Sequence, residues 1–133
     1  MKKLLEENEA TGKTAAIYAE IKEKMGALPN LFKAIAAQDE TWLELTWERE
    51  KRIMIEETSL DRKTKELIAM AVCTIEKASY GKSVHETLAR MFGASDSEVA
   101  DAKKVVELFS SFGNIGFGLD VPIDFTPDMA KKA

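Results

Sequence analysis

Hydrophobic positions recur with helical spacing along most of the chain. In the stretch TGKTAAIYAEIKEKMG, Ile17, Ile21 and Met25 lie four residues apart, on one face of a helix. Residues 59–77 are apolar nearly all round between Leu67 and Ile75, which is typical of the central helix of a bundle. No segment alternates with the period of a strand. The pattern therefore predicts an all-α fold, a small bundle of about five or six helices.

Capping and turn residues set the expected boundaries. Asn30 opens a short helix after a proline, and the pair Ser95 and Glu98 forms a capping box at the start of a later helix. From about residue 113 glycine, proline and polar residues mix, so an irregular C-terminal tail is expected over 113–133. No repeat or linker interrupts the chain, and residues 1–133 are expected to form a single domain.

Composition and charge argue against several classes of partner and cofactor. The chain has 133 residues, 45% hydrophobic and 32% charged, with a net charge of −4 and both signs interspersed, so no basic stripe indicates a nucleic-acid partner. Neither an apolar run of about eighteen residues nor a signal-peptide pattern is present, so no membrane partner and a cytoplasmic location are expected. Cys73 and His85, each the single residue of its type, are too few for a usual zinc site, and no metal or cofactor is expected.

The stretch AVCTIEKASYGKSVHE holds both of these residues. Ala78, Gly81 and His85 lie at positions i, i+3 and i+7, which places them on one face of a helix. Glu66 lies nineteen residues before His85, on the preceding predicted helix.

Four segments resemble the carboxymuconolactone decarboxylase and alkylhydroperoxidase D superfamily. They are GALPNLFKAIAAQ, KTKELIAMAV, ASYGKSVH and ARMFGASDSEV, and the resemblance spans about residues 26–107. It implies an all-α domain that forms a homo-oligomer, a dimer, trimer or hexamer. The expected contacts involve the helices around Trp42 to Met54 and Val105 to Phe112, because a domain this small leaves apolar helix faces exposed.

The resemblance also implies a site. In the peroxidase branch of the superfamily a glutamate lies nineteen residues before a histidine, and C-x-x-C-x-x-x-H closes the segment. Glu66 and His85 match this spacing, and Tyr80 fits the aromatic or histidine residue often found between the two cysteines. At the two cysteine positions this sequence has Ala78 and Gly81.

The missing cysteines change the expected chemistry. A thiol peroxidase of this kind needs a thiolate near a helix N-terminus and a resolving cysteine three residues away. Dithiol redox activity is therefore expected to be absent. Cys73 lies in the apolar last turn of the preceding helix, where a small buried hydrophobic side chain is expected.

Three functions remain open. The first is cysteine-independent proton transfer on a small organic molecule, of decarboxylase, lyase or isomerase type, because superfamily decarboxylases also lack the cysteine pair and retain the histidine. His85 would shuttle a proton, Glu66 would orient the ring, and Tyr80 would hydrogen-bond an oxyanion. The second is a non-catalytic oligomeric ligand-binding or assembly protein, and the third is a degenerate thiol peroxidase whose active cysteines were lost or replaced.

A structural role for the same residues also stays open. Glu66 could pair with Lys63 or Lys65 in the first helical turn. His85 could be a core histidine whose ring nitrogens are hydrogen-bonded within the protein. The catalytic hypothesis makes a geometric prediction: a Glu66 carboxylate oxygen lies within hydrogen-bond reach of the His85 ring, directly or through one water, and Tyr80 lies at the pocket mouth.

Overall fold

A computed structural model describes residues 3–125 and 127–130, and every regular element in these ranges is helical. The α-helices are α1 (Gly12–Met25), α2 (Asn30–Ala36), α3 (Glu40–Glu50), α4 (Arg62–Ile75), α5 (Ser79–Met91), α6 (Asp96–Gly118) and the one-turn α7 (Pro127–Ala130). A 3₁₀ turn at Glu7–Glu9 precedes α1, and a π-helical segment at Lys51–Ile55 continues α3. The predicted all-α fold is confirmed. None of the described helices is both long and apolar enough to cross a membrane.

Helix α6 is longer than the sequence predicts. It continues to Gly118, so residues 113–118, expected to be irregular, are helical. Gly113 and Gly116 each disfavour a helix interior by about 1 kcal/mol relative to alanine. They are tolerated because extending an existing helix adds a hydrogen bond per residue without a new nucleation step. The chain leaves the helical conformation near Asp120, whose φ of 48° is left-handed.

The helices form two compact units rather than one evenly connected bundle. The first unit extends to Arg62 and contains α1 to α3, and the second begins at Lys63 and contains α4 to α7. The boundary falls within the first turn of α4, where the sequence has no linker rich in proline, glycine or serine that would have indicated it.

The first unit has a core of large side chains from three helices. Its buried members are Ile17, Tyr18, Ile21, Phe32, Ile35, Leu43 and Trp47. The ring of Phe32 meets Trp47 edge-on, with centroids 5.6 Å apart. The Tyr18 hydroxyl donates to the Leu5 carbonyl oxygen at 2.8 Å, which ties the N-terminal segment to α1.

A carboxylate on α1 links that core to the end of α3. Glu20 accepts hydrogen bonds from the Trp47 indole nitrogen at 3.1 Å and from the Lys51 ammonium at 2.9 Å. The hydrogen bond from Lys51, supplemented by that from Trp47, lowers the pKa of Glu20 below its ordinary value. Folding therefore favours the ionised form of this carboxyl group.

The second unit has a small core, and its helix α6 begins at the predicted capping box. Its buried hydrophobic residues are Met70, Ala89, Ala94 and Val99. The Ser95 hydroxyl accepts from the Glu98 N–H at 3.1 Å, and the Glu98 carboxylate accepts from the Ser95 N–H at 2.8 Å, which confirms the capping box. Lys63 pairs with the same Glu98 at 2.8 Å and links the start of α4 to the start of α6.

Replacing Glu20 by alanine is expected to lower the free energy of unfolding by about 1–2 kcal/mol, because the buried indole of Trp47 loses its acceptor. Urea unfolding followed by tryptophan fluorescence measures the change. Glu23→Ala, at an exposed position on the same helix, is the control and should shift stability by less than about 0.5 kcal/mol.

The stability difference between the unmodified protein and Glu20→Ala should depend on pH, whereas Glu23→Ala should follow the unmodified protein. Because the pKa of Glu20 is lowered in the folded state, its stabilisation is fully present above the unfolded-state pKa and declines as pH falls through the folded-state pKa. An equal loss of stability in Glu20→Ala and Glu23→Ala would contradict this account.

Candidate functional site

Helices α4 and α5 bring Glu66 and His85 together. A Glu66 carboxylate oxygen, Oε2, lies 2.6 Å from Nδ1 of the His85 ring. The Glu66 side chain is fully buried, at 0% exposure, whereas that of His85 is 23% exposed. The direct contact predicted from the spacing of these two residues is therefore present.

The contact involves Nδ1 of the ring and leaves Nε2 outside it. When the Glu66 carboxyl group is ionised it only accepts hydrogen bonds, and the ring then donates through Nδ1–H. In a neutral imidazole of that tautomer, Nε2 has no proton and is able to accept one. A buried carboxyl group is costly unless it is hydrogen-bonded, and this bond offsets part of that cost. The arrangement is a partly exposed imidazole held by a buried carboxyl group.

Helical spacing explains how the sequence assembles this pair. Glu66, Met70 and Cys73 lie at positions i, i+4 and i+7 of α4 and share one face. Gly81 and His85 lie at i and i+4 of α5 and share another. The two faces meet at two points, where Glu66 contacts His85 and where Cys73 approaches Gly81.

The approach of Cys73 to α5 is close. A Cβ atom built on Gly81 would lie 2.6 Å from the Cys73 sulfur, nearer than non-bonded atoms come. The sulfur thus occupies the space that a side chain at position 81 would need. Cys73 is only partly buried, which corrects the expectation of a buried hydrophobic side chain. The i+7 spacing from Glu66 is the sequence signal that Cys73 lies on the helix face that meets α5, but the spacing does not indicate its approach to Gly81.

The other predicted site residues lie at the start of α5. Ala78 is the exposed residue just before the helix, at its N-cap. Tyr80 is the second helical residue and is 45% exposed. Tyr80 and His85 are five positions apart, about 140° around the helix, so they do not share a face. The role of Tyr80 at a pocket mouth stays a prediction.

Two open clefts of about 350 and 560 Å³ lie between the end of α4 and the middle of α6. Both are lined by Ile75, Val106, Ser110 and Asn114, and neither is lined by Glu66 or His85. Within the described part of the chain no group of three histidine, cysteine or acidic side chains is placed to hold a metal ion. The Glu66–His85 pair therefore lies outside both of these clefts.

Comparison with known proteins agrees with the fold and with the resemblance in sequence. The chain is similar to the crystal structure of the alkylhydroperoxidase AhpD core from Rhodospirillum rubrum ATCC 11170, with a TM-score of 0.80 and 27% sequence identity over 84% of this chain and 83% of that chain. The carboxymuconolactone decarboxylase family model matches residues 29–119. The chain belongs to the carboxymuconolactone decarboxylase family and has an AhpD-like fold. A comparison with curated proteins found no match.

The contact between Cys73 and position 81 generates a prediction about glycine substitutions. In a helix with free space, Gly→Ala stabilises by about 1 kcal/mol. Gly113→Ala, where nothing lies within 4 Å, should show this gain. Gly81→Ala should lose it, because the new methyl group displaces the Cys73 sulfur.

The double variant Cys73→Ala/Gly81→Ala should recover the gain, which gives a coupling of about 1 kcal/mol between the two positions in thermal or urea unfolding. Additive effects of the two substitutions would show that the sulfur does not fill this space.

Proposed function

We propose that this protein catalyses proton transfer on a small organic molecule at the Glu66–His85 pair, in a reaction of lyase or isomerase type that needs no cysteine pair. The observation that supports the proposal most is the 2.6 Å hydrogen bond between a fully buried carboxylate and a partly exposed imidazole. Membership of the carboxymuconolactone decarboxylase family supports chemistry on a small carboxylated compound.

In the proposed reaction, Nε2 of His85 removes a proton from the substrate. The ring becomes positively charged, and the Glu66 carboxylate stabilises that charge while it holds Nδ1–H in place. The imidazolium then returns the proton to the carbanion or enolate formed by bond cleavage or by rearrangement. Tyr80, in the first turn of α5 but about 140° around the helix from His85, is the candidate donor to the developing oxyanion.

A buried Glu–His pair can also serve only to hold two helices together. In that case His85 Nε2 would have no substrate, and the protein would be a non-catalytic ligand-binding or assembly member of the family. The partial exposure of the His85 side chain supports the catalytic alternative, because a small molecule can approach a ring that is not fully enclosed.

The tautomer of His85 provides a first test. Because this is the single histidine of the chain, its ring signals are unambiguous in ¹⁵N-histidine NMR. The neutral ring is expected to carry its proton on Nδ1 and to leave Nε2 bare. Glu66→Leu, which removes the acceptor, should lose this preference, whereas Glu86→Gln, at an adjacent residue paired with Lys103 and Arg90, should keep it. A neutral ring protonated on Nε2 in the unmodified protein would contradict the mechanism.

Turnover provides the second test. The probes are γ-carboxymuconolactone and simple β-oxo acids, followed by CO₂ release and by deuterium incorporation from D₂O. His85→Gln should lower kcat/KM by about 10²–10⁴-fold, the usual contribution of a general base. Glu66→Gln should lower it by a smaller factor, and Glu86→Gln should leave it unchanged. Turnover that survives His85→Gln would exclude His85 as the base.

The position of Cys73 favours a second candidate, a single-thiol peroxidase. The Cys73 thiolate would attack the terminal oxygen of an organic hydroperoxide, so that an S–O bond forms and the O–O bond breaks. The alkoxide that leaves takes up the proton that the thiol lost and becomes an alcohol. Two equivalents of an external thiol would then reduce the sulfenic acid, which releases water and a disulfide. The sulfur lies beside Gly81, and Gly81 shares a face of α5 with His85. The thiol is therefore near the same helix face as the imidazole, which supports this alternative.

Cys73→Ala separates the two candidates. Under the proton-transfer proposal the variant keeps its activity on the lactone and oxo-acid probes within about twofold. Cumene hydroperoxide with dithiothreitol measures the alternative, and turnover that Cys73→Ala abolishes would assign the chemistry to this thiol. Absence of hydroperoxide turnover in the unmodified protein would exclude the thiol candidate.

A further inference from the structure

The two clefts between the end of α4 and the middle of α6 adjoin each other and form one groove, which we call the α4–α6 groove. The residues that line both clefts are Ile75, Val106, Ser110 and Asn114. The two parts, of about 350 and 560 Å³, fall in the size range of small-molecule sites. The groove is therefore large enough for a small organic ligand.

The two parts of the groove differ in polarity. The smaller part is mostly apolar, and the residues that line it alone are Ala71, Val105, Phe109 and Gly113. The larger part carries polar and charged groups, and the residues that line it alone are Thr74, Lys77, Lys103 and Glu107. An apolar part next to a charged part matches a molecule with an apolar body and a charged head group.

Lys77 has an unusual backbone conformation at the charged part. Helix α4 ends in a Schellman motif, in which the Ala78 N–H donates to the Cys73 carbonyl oxygen at 2.8 Å and the Lys77 N–H donates to the Thr74 carbonyl oxygen at 3.2 Å. The motif needs a left-handed residue, usually glycine, and Lys77 takes that place with a φ of 55°. Strained residues of this kind concentrate at functional sites. Within the described ranges, the Lys77 ammonium has no hydrogen-bond or ion-pair partner in the protein.

Lys77 sets the sign of the charge that the groove offers to a ligand. Lys103 is already paired with Glu86 of α5, at 3.1 Å. Glu107 lies one turn further along α6, at i+4 from Lys103, and this neighbouring cation offsets its charge. Two lysines against one glutamate leave the lining positive, with the Lys77 ammonium available. This part of the groove therefore fits an anionic head group.

Gly113 keeps the apolar part of the groove open. It is helical within α6, where glycine is disfavoured relative to alanine. A Cβ atom built on Gly113 would have no atom within 4 Å, so this position faces open space and not a neighbouring helix. A larger side chain at position 113 would therefore occupy the groove without disturbing the packing of the helices.

We propose that the α4–α6 groove binds a small amphipathic carboxylate, with its apolar body against Ile75 and Phe109 and its carboxylate on the Lys77 ammonium. Asn114, which lines both parts, can donate a further hydrogen bond to the ligand. The site does not depend on the proposed proton transfer, because the acid–base pair lies outside the groove.

Isothermal titration calorimetry of the full chain with octanoate tests the site. One molecule per chain should bind with a Kd of about 0.1–1 mM, an ordinary affinity for a ligand of about ten non-hydrogen atoms. Lys77→Gln should weaken binding by about tenfold, because a charge-assisted hydrogen bond is lost. Lys82→Gln removes the same charge from an exposed residue outside the groove and should change the Kd by less than about twofold.

Uncharged and cationic analogues test the head group. Octanamide should bind the unmodified protein and Lys77→Gln equally, because it has no charge for the ammonium to recognise. Tighter binding of octylammonium than of octanoate would overturn the assignment of an anionic ligand. No binding of octanoate up to about 10 mM, ten times the weakest expected Kd, or equal weakening by the two lysine variants, would overturn the site itself.

A variant of the apolar part tests the site without a change of charge. Gly113→Leu should abolish detectable octanoate binding, because the new side chain fills the groove. Gly116→Leu adds the same side chain to the same helix, outside the groove lining, and should retain binding. Both variants should keep their helical circular dichroism, since leucine favours a helix more than glycine does and neither new Cβ meets an atom within 4 Å.

The same titration distinguishes the groove from other places where an amphiphile could bind. His85→Gln should bind octanoate like the unmodified protein, and a loss of binding in that variant would place the ligand at the acid–base pair instead. Binding that survives Gly113→Leu would show that octanoate adsorbs to another apolar surface. Either result would overturn the proposal.

Discussion

The hydrogen bond between Glu66 and His85 is the constraint on which the second unit of this protein depends. A carboxyl group with no exposed surface is tolerated only when its oxygens are hydrogen-bonded. The imidazole that forms one of these hydrogen bonds comes from the next helix, so α4 and α5 must keep their relative position for the bond to persist. The same requirement positions an imidazole ring that remains partly exposed, at 23%. The packing of α4 against α5 and the chemistry proposed above thus share one contact.

The second contact between α4 and α5 is steric rather than polar. Glu66 of α4 and His85 of α5 form a hydrogen bond. At the other contact, α4 contributes the Cys73 sulfur and α5 contributes the space beside Gly81 that the sulfur occupies. In the peroxidase branch that this sequence resembles, a cysteine stands at the position of Gly81, whereas here the single sulfur of residues 71–86 comes from the opposite helix. A side chain at position 81 and the sulfur of Cys73 compete for the same volume, so each residue explains the presence of the other.

The sequence predicts those features that depend on local periodicity and spacing. Helical recurrence of apolar residues indicated the all-α fold, and the Ser95–Glu98 pair marked the start of α6 because capping is decided within four residues. The Glu66–His85 contact was predictable only through the nineteen-residue spacing of a related family. The end of α6 at Gly118 was not predictable, because glycine residues suggest an earlier end than an already nucleated helix actually has. The placement of Cys73 against Gly81 was not predictable either, because it depends on how two helices cross.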